Sequence, residues 1–250
     1  MTDARAVATA VKDPVGRLGG AFMISREAKV FAQETGFAGW APYFRGRCGV
    51  LGEVDADVVV SATGFFPADI VREVWEAAVS LPAAEAANRY AVICQDFGRR
   101  KLTGFSDAGR LADLLRLVVG NADVVGAPLF AGWRAMPLAA DGPARVSQLA
   151  HVLRELRNGL HLVAVLATGL SPLEAVLTGA SGLIPGGEAN AEFFGWPRPY
   201  PETTAELRER RARAERLTDA LVTPAFEILS ADEANELITL LGKADATVFG

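Results

Sequence analysis

Apolar residues recur along this chain at spacings of three and four, and a single stretch could serve as a strand. That pattern constrains the fold to packed helices. The clearest case is Leu111, Leu114, Leu115 and Val118, an i, i+3, i+4, i+7 stripe on one helix face. Ser106 stands where a cap belongs, and Gly120-Asn121 where that helix can end. Ala86, Tyr90, Ile93, Cys94 and Phe97 share a face between Ala83 and Phe97. Val146, Leu149, Ala150 and Leu153 repeat the pattern from about Ala144 to Arg157, ahead of Asn158-Gly159. Ser171-Pro172-Leu173-Glu174 reads as a cap, a first-turn proline and a capping-box partner, which predicts a helix to about Ala180. Glu206 to Leu221 is a charged helix with Glu206–Arg210 and Glu209–Arg213 spaced for surface pairs, and Ser230 opens a last helix from Ala231 to Leu241. The exception is Asp55 to Phe66, whose three consecutive valines suit a buried strand. Yet Glu53, Asp55 and Asp57 stand where acids stand at a helix N-terminus. A strand without a partner also leaves its backbone groups unpaired. The expectation is a helix there, and an all-α, multi-helix assembly overall.

Half of the residues are apolar and 22% are charged, enough for a sizeable core in a 250-residue chain. No stretch approaches the roughly 20 uninterrupted apolar residues of a membrane span. The opening MTDARAVATAVKDPVGRLGG is too charged for a signal peptide, and residues 1–20 are expected to form a flexible N-terminal arm. Proline and glycine cluster at 126–143 and at 185–201. A division near residue 140 follows, with an N-terminal helical half (21–140) and a C-terminal helical half (141–250). Cys48 and Cys94 lack CxxC spacing, so no disulfide framework is expected and the cytoplasm is the expected compartment. A net charge of −5 offers no electrostatic footprint for nucleic acid.

The chemistry of common cofactors has no motif here. GxxxxGK[ST], GxGxxG, GxSxG and HExxH are all absent. Two histidines and two separated cysteines do not make a zinc site, and Glu53, Asp55 and Asp57 read as helix-end acids rather than ligands of a hard cation. Neither a metal nor a cofactor is expected.

HLVAVLATGLSPLEAVLTGASG, starting at His161, has the form of a helix-turn-helix: a helix, a glycine turn, a capping serine and a second helix. Such a second helix reads bases with Arg, Lys, Asn or Gln. From His161 to Ile184 there is no lysine or arginine, and a helix carrying only Glu174 is repelled by phosphate. Two core helices joined by a tight turn are the expected structure, with no specific nucleic-acid partner.

Five blocks carry a wider resemblance: Tyr43 to Gly52 (YFRGRCGVLG), Gly64 to Pro67 (GFFP) with Trp75 beyond, Gly126 to Pro137, Arg154 to Val176, and RLTDALVTPAF near the C-terminus. On these the chain resembles an actinobacterial helix-turn-helix or winged-helix-like family of unknown function, over most of residues 25–241. The resemblance implies that Arg47 is a kept arginine and that Arg154-Glu155-Leu156-Arg157-Asn158-Gly159-Leu160-His161 stands for a family R-E-H-R-G-D-G-H block. Family histidines are replaced by Phe66, Gln148 and Leu156, leaving His161, and the wing region between Pro199 and Glu206 is short. The resemblance therefore describes a divergent member that has dropped whatever the family does with several histidines.

Arg157 follows Leu153 by one helical step, on the apolar phase, and His161 follows by another if the helix bridges Asn158-Gly159. In that case both share one wall of an internal cavity. In the other reading the helix stops at Asn158, Arg157 snorkels and His161 starts a new helix. Arg47 sits among Phe37, Trp40, Tyr43 and Phe44, where it stacks on a ring, holds an anion or forms a buried ion pair. His151 falls on an exposed phase and is set aside. The candidate catalytic residues are His161, Arg157 and Arg47, with Tyr43, Trp40, Arg154, Phe66 and Trp196 as the binding surface. The aromatic tract Phe193 to Pro201 is either a lid or a packed loop. Three functions are open: a cofactor-independent acid–base enzyme of specialised metabolism acting on a largely apolar compound, a ligand-responsive transcriptional regulator, and a binding protein for a hydrophobic metabolite. A homodimer is compatible with each.

Overall fold

The computed structural model describes residues 3–179 and 186–250. Among them there is no strand, and thirteen α-helices follow in order. They are α1 (Ala4–Gly20), α2 (Arg26–Thr35), α3 (Ala41–Cys48), α4 (Ala56–Thr63), α5 (Ala68–Ala77), α6 (Ala83–Lys101) and α7 (Ala108–Asn121). Then come α8 (Pro128–Arg134), α9 (Gly142–Ala167), α10 (Pro172–Thr178), α11 (Glu188–Phe193), α12 (Ala205–Val222) and α13 (Ala231–Phe249). The valine run is helical, as α4, with the Asp55 side chain accepting from the Asp57 amide at its N-cap. Ser171 and Ser230 each close a capping box with the glutamate three residues on. The expected end of α10 at Ala180 lies outside the described residues. Asp107, not Ser106, occupies the cap position of α7. Glu209 pairs with Arg216 at 3.0 Å rather than with Arg213.

The organising element is α9, which packs against α1, α6, α7, α8 and α12. One apolar core runs from Val7 to Val248 in sequence, so the helices on either side of residue 140 share it. Two smaller clusters lie beside it. Val165, Leu170, Ala175 and Ala214 form one, and Val176, Leu177 and Ala191 the other.

Three sequence expectations need correction. The N-terminal segment is not a loose arm: it is α1, capped by Asp3, and it buries Val7, Ala8, Val11, Val15 and Leu18 on one face. Pro14 and the closing glycines suggest a coil, but Gly19 is what lets α1 touch α9. A Cβ at Gly19 would lie 2.4 Å from the Ala150 carbonyl oxygen. The second correction concerns α9, which does not stop at Asn158. Gly159 lies against Ala127, where a Cβ would be 2.7 Å from the Ala127 Cα, and the helix continues to bury Ala164 and Val165. The third is His151, fully buried rather than exposed, because the first half of α9 is covered on nearly every side, polar Ser147 and Gln148 included.

Candidate functional site

A cavity of about 1010 Å³ lies between α1, α2, α3, α6, α9 and α12, with the α4–α5 connection, α10 and α11 closing its side. Exposed Asp13, Lys29 and Phe193 are among its lining residues and mark where it meets solvent. Its aromatic wall is built on Trp40, whose ring meets Tyr43, Phe66 and Phe193 edge-on at centroid separations of 5.4, 5.1 and 5.2 Å. Phe66 also packs on Phe194 at 4.6 Å. Such edge-on contacts suit the quadrupoles of the rings and hold a stiff apolar surface.

Two polar clusters face the same cavity. In the first, the Arg47 guanidinium donates from Nε to Glu155 Oε1 at 2.8 Å and from Nη2 to Oε2 at 2.6 Å, a two-pronged pair with both residues buried. Arg47 Nη1 donates to the Tyr43 hydroxyl at 3.0 Å. Arg154 Nη1 donates to Glu155 Oε1 at 3.1 Å, and His151 Nδ1 stands 3.7 Å from the same oxygen. Burial alone would push the Glu155 carboxyl up, but Arg47, His151 and Arg154 together bring it down to about 2. Burial also pushes the Tyr43 phenol up. Tyr90, from α6, is buried beside this cluster, and its hydroxyl has no partner among the described residues.

In the second cluster, Arg157 lies at ion-pair distance from Glu215 (2.9 Å) and Asp219 (2.8 Å), and Arg211 pairs with Glu215 at 2.7 Å. The Thr218 hydroxyl donates to the Ala214 carbonyl at 2.8 Å, as α-helical threonines do. His161 Nδ1 therefore donates to Thr218 Oγ1 at 2.8 Å, and Nε2 accepts from Arg211 Nη1. Burial, with Arg211 adding to it, holds the imidazole down at about 4, and both of its nitrogens are engaged.

Arg47, Arg157 and His161 thus line one cavity, as do Tyr43, Trp40, Arg154 and Phe66. Trp196 does not: its indole donates to the Phe65 carbonyl at 3.0 Å and props the α4–α5 connection from behind. Sequence reasoning missed Glu155, Tyr90, Arg211 and Glu215. The Arg211–Glu215 spacing of four was available as a signal, whereas Glu155 meets Arg47 across 108 residues and left none. The early acids have separate tasks. Glu53 accepts from Arg45 and from the Ala83 amide, Asp55 caps α4, and Asp57 pairs with Arg72. Among the described residues, no three His, Cys, Asp or Glu side chains gather as metal ligands, and no single helix is long and apolar enough to cross a membrane.

The path from α9 to α10 turns through 108° over Thr168 to Ser171, with Gly169 at φ 73°. This is the geometry of a helix-turn-helix pair. The molecule is therefore an all-α protein in which such a pair borders an internal cavity. It belongs to the Helix-turn-helix family, whose model matches residues 8–250. No curated protein and no solved structure matches the chain.

Proposed function

We propose that this chain is a small-molecule-binding protein whose cavity takes up a largely apolar compound. The observation that carries this reading is the cavity itself. At about 1010 Å³ it is at the upper end of the roughly 300–1,000 Å³ typical of ligand sites, with an aromatic wall and a few convergent polar groups. A compound of specialised metabolism, polyketide- or peptide-like, suits that size and wall. Binding is favoured over acid–base catalysis because both nitrogens of His161 are occupied and its imidazole is held down at about 4, well below the value that suits proton exchange near neutral pH. The test is titration with Nile red, a neutral apolar fluorophore. One molecule per chain should bind and quench Trp40, and A62W, which adds an indole to the cavity wall, should abolish binding while leaving the helical circular-dichroism signal intact. Binding that A62W leaves unchanged, or no binding at all, would overturn the reading.

Family membership supports a second reading, a ligand-responsive regulator. Ala175 and Val176 of α10, with Arg211 and Glu215 of α12, belong to the cavity wall, so an occupant would touch the helix-turn-helix pair directly.

A further inference from the structure

The two polar clusters differ in charge balance. Arg157 and Arg211 face Glu215 and Asp219, two cations against two carboxylates. Arg47 and Arg154 converge on Glu155 alone, and His151 beside them is held neutral by burial. One positive charge is left over at the α3–α6–α9 end of the cavity. It resides on Arg154, because Arg47 is locked two-pronged on Glu155 while Arg154 gives it only Nη1. Among the described residues Arg154 Nε and Nη2 meet no partner, and its side chain is 24% exposed and lines the cavity. The buried hydroxyl of Tyr90, also a lining group, is a second donor that meets no acceptor among the described residues. A buried hydroxyl without a partner is costly unless something that enters the site accepts from it. The wider lining agrees. Seven cationic side chains but only two acidic ones border the cavity among the described residues, in a chain whose net charge is −5. Such a concentration draws anions to the opening.

We propose that the occupant is an apolar monocarboxylate, with its carboxylate held by Arg154 and the Tyr90 hydroxyl and its apolar body against the Trp40–Phe66 wall. A single negative charge matches the one cation that the Arg47–Arg154–Glu155 cluster leaves uncompensated, and a guanidinium whose Nε and Nη2 are open matches a planar carboxylate. This rests on the small-molecule reading above and deepens it.

The experiment displaces Nile red from the full chain with matched pairs that differ in the head group: decanoate against 1-decanol, and 1-naphthoate against 1-naphthalenemethanol. A charge-assisted contact of ordinary strength makes each carboxylate effective at roughly tenfold or more lower concentration than its alcohol. The aliphatic and aryl pairs report which kind of body the wall accepts. In R154Q and in Y90F the preference should shrink to about threefold or less, while alcohol displacement is unchanged. Equal displacement by acid and alcohol, or a preference that survives R154Q, would overturn the carboxylate site and leave the cavity reading standing. Failure of Nile red to bind would remove both together.

Discussion

Arg47 and Glu155 face each other in the interior, and an ion pair of that kind is most sensitive to the loss of one member. E155Q leaves a buried guanidinium without its counter-charge and is expected to lower unfolding stability by about 3–5 kcal/mol. The double variant R47M/E155L should lose less than the single one, measured by urea unfolding; an E155Q loss under about 1 kcal/mol would contradict this. The histidines give a second expectation. Burial pushes His151 down to about 3 and His161 down to about 4, below the unfolded value of about 6.5. The unfolded chain therefore takes up protons that the folded chain refuses. Their contribution is complete above pH 6.5 and is lost as pH falls toward 4, with a slope of up to about 2–3 kcal/mol per pH unit for the two. Glu27 and Glu155, both held at about 2, add their own losses below pH 4.5. Urea midpoints from pH 7 to 4.5 should fall steeply, and H161Q should flatten the curve; a flat wild-type profile would contradict it. At this scale the sequence pointed to Arg157 and His161 because they follow Leu153 at successive helical steps, and to Arg47 because aromatic residues flank it in sequence. It hid Glu155, and it misplaced His151 because phase on a helix says little when the helix is covered all round.

Between residues and the molecule stand the helices, and the ones with local signals were the legible ones. Ser171 and Ser230 announce α10 and α13 through a cap and a glutamate three residues later, information held within one turn. The length of α9 was not legible, since Asn158-Gly159 ends a helix by every local rule. What carries the helix through is the contact of Gly159 with Ala127, a fact about two segments at once. That contact makes a matched pair of substitutions informative. G159A gains helix propensity of about 1 kcal/mol but drives a methyl into the Ala127 backbone, and is expected to destabilise by about 1–3 kcal/mol net. G120A, near the end of α7 with nothing within 4 Å of the new methyl, should instead stabilise by about 0.5–1 kcal/mol. Thermal unfolding of both decides it, and equal effects would mean that the α8–α9 approach is slack.

For the molecule as a whole, the all-α class was legible because helical periodicity repeats along the chain. The cavity was not, because its wall gathers residues from Lys12 to Glu215. Membership of the Helix-turn-helix family makes DNA the natural partner to test. The second helix of the pair buries Ala175, Val176 and Leu177 and carries no cation. A gel-shift assay with the DNA upstream of the protein's own coding sequence, at moderate salt, is expected to show no salt-sensitive complex. A sub-micromolar, sequence-specific complex would establish the regulator reading instead.

The burial of α1 has a consequence for how the chain is made. Its apolar face is covered by α9 and α13, and the second of these begins 211 residues after Gly20, at Ala231. At roughly 5–20 residues per second on the ribosome, Val7, Val11 and Val15 wait about 10–40 s for their last neighbours to be synthesised. Once α9 has emerged it can cover its share of that face, but the part that α13 covers stays open on the growing chain until the last helix is made.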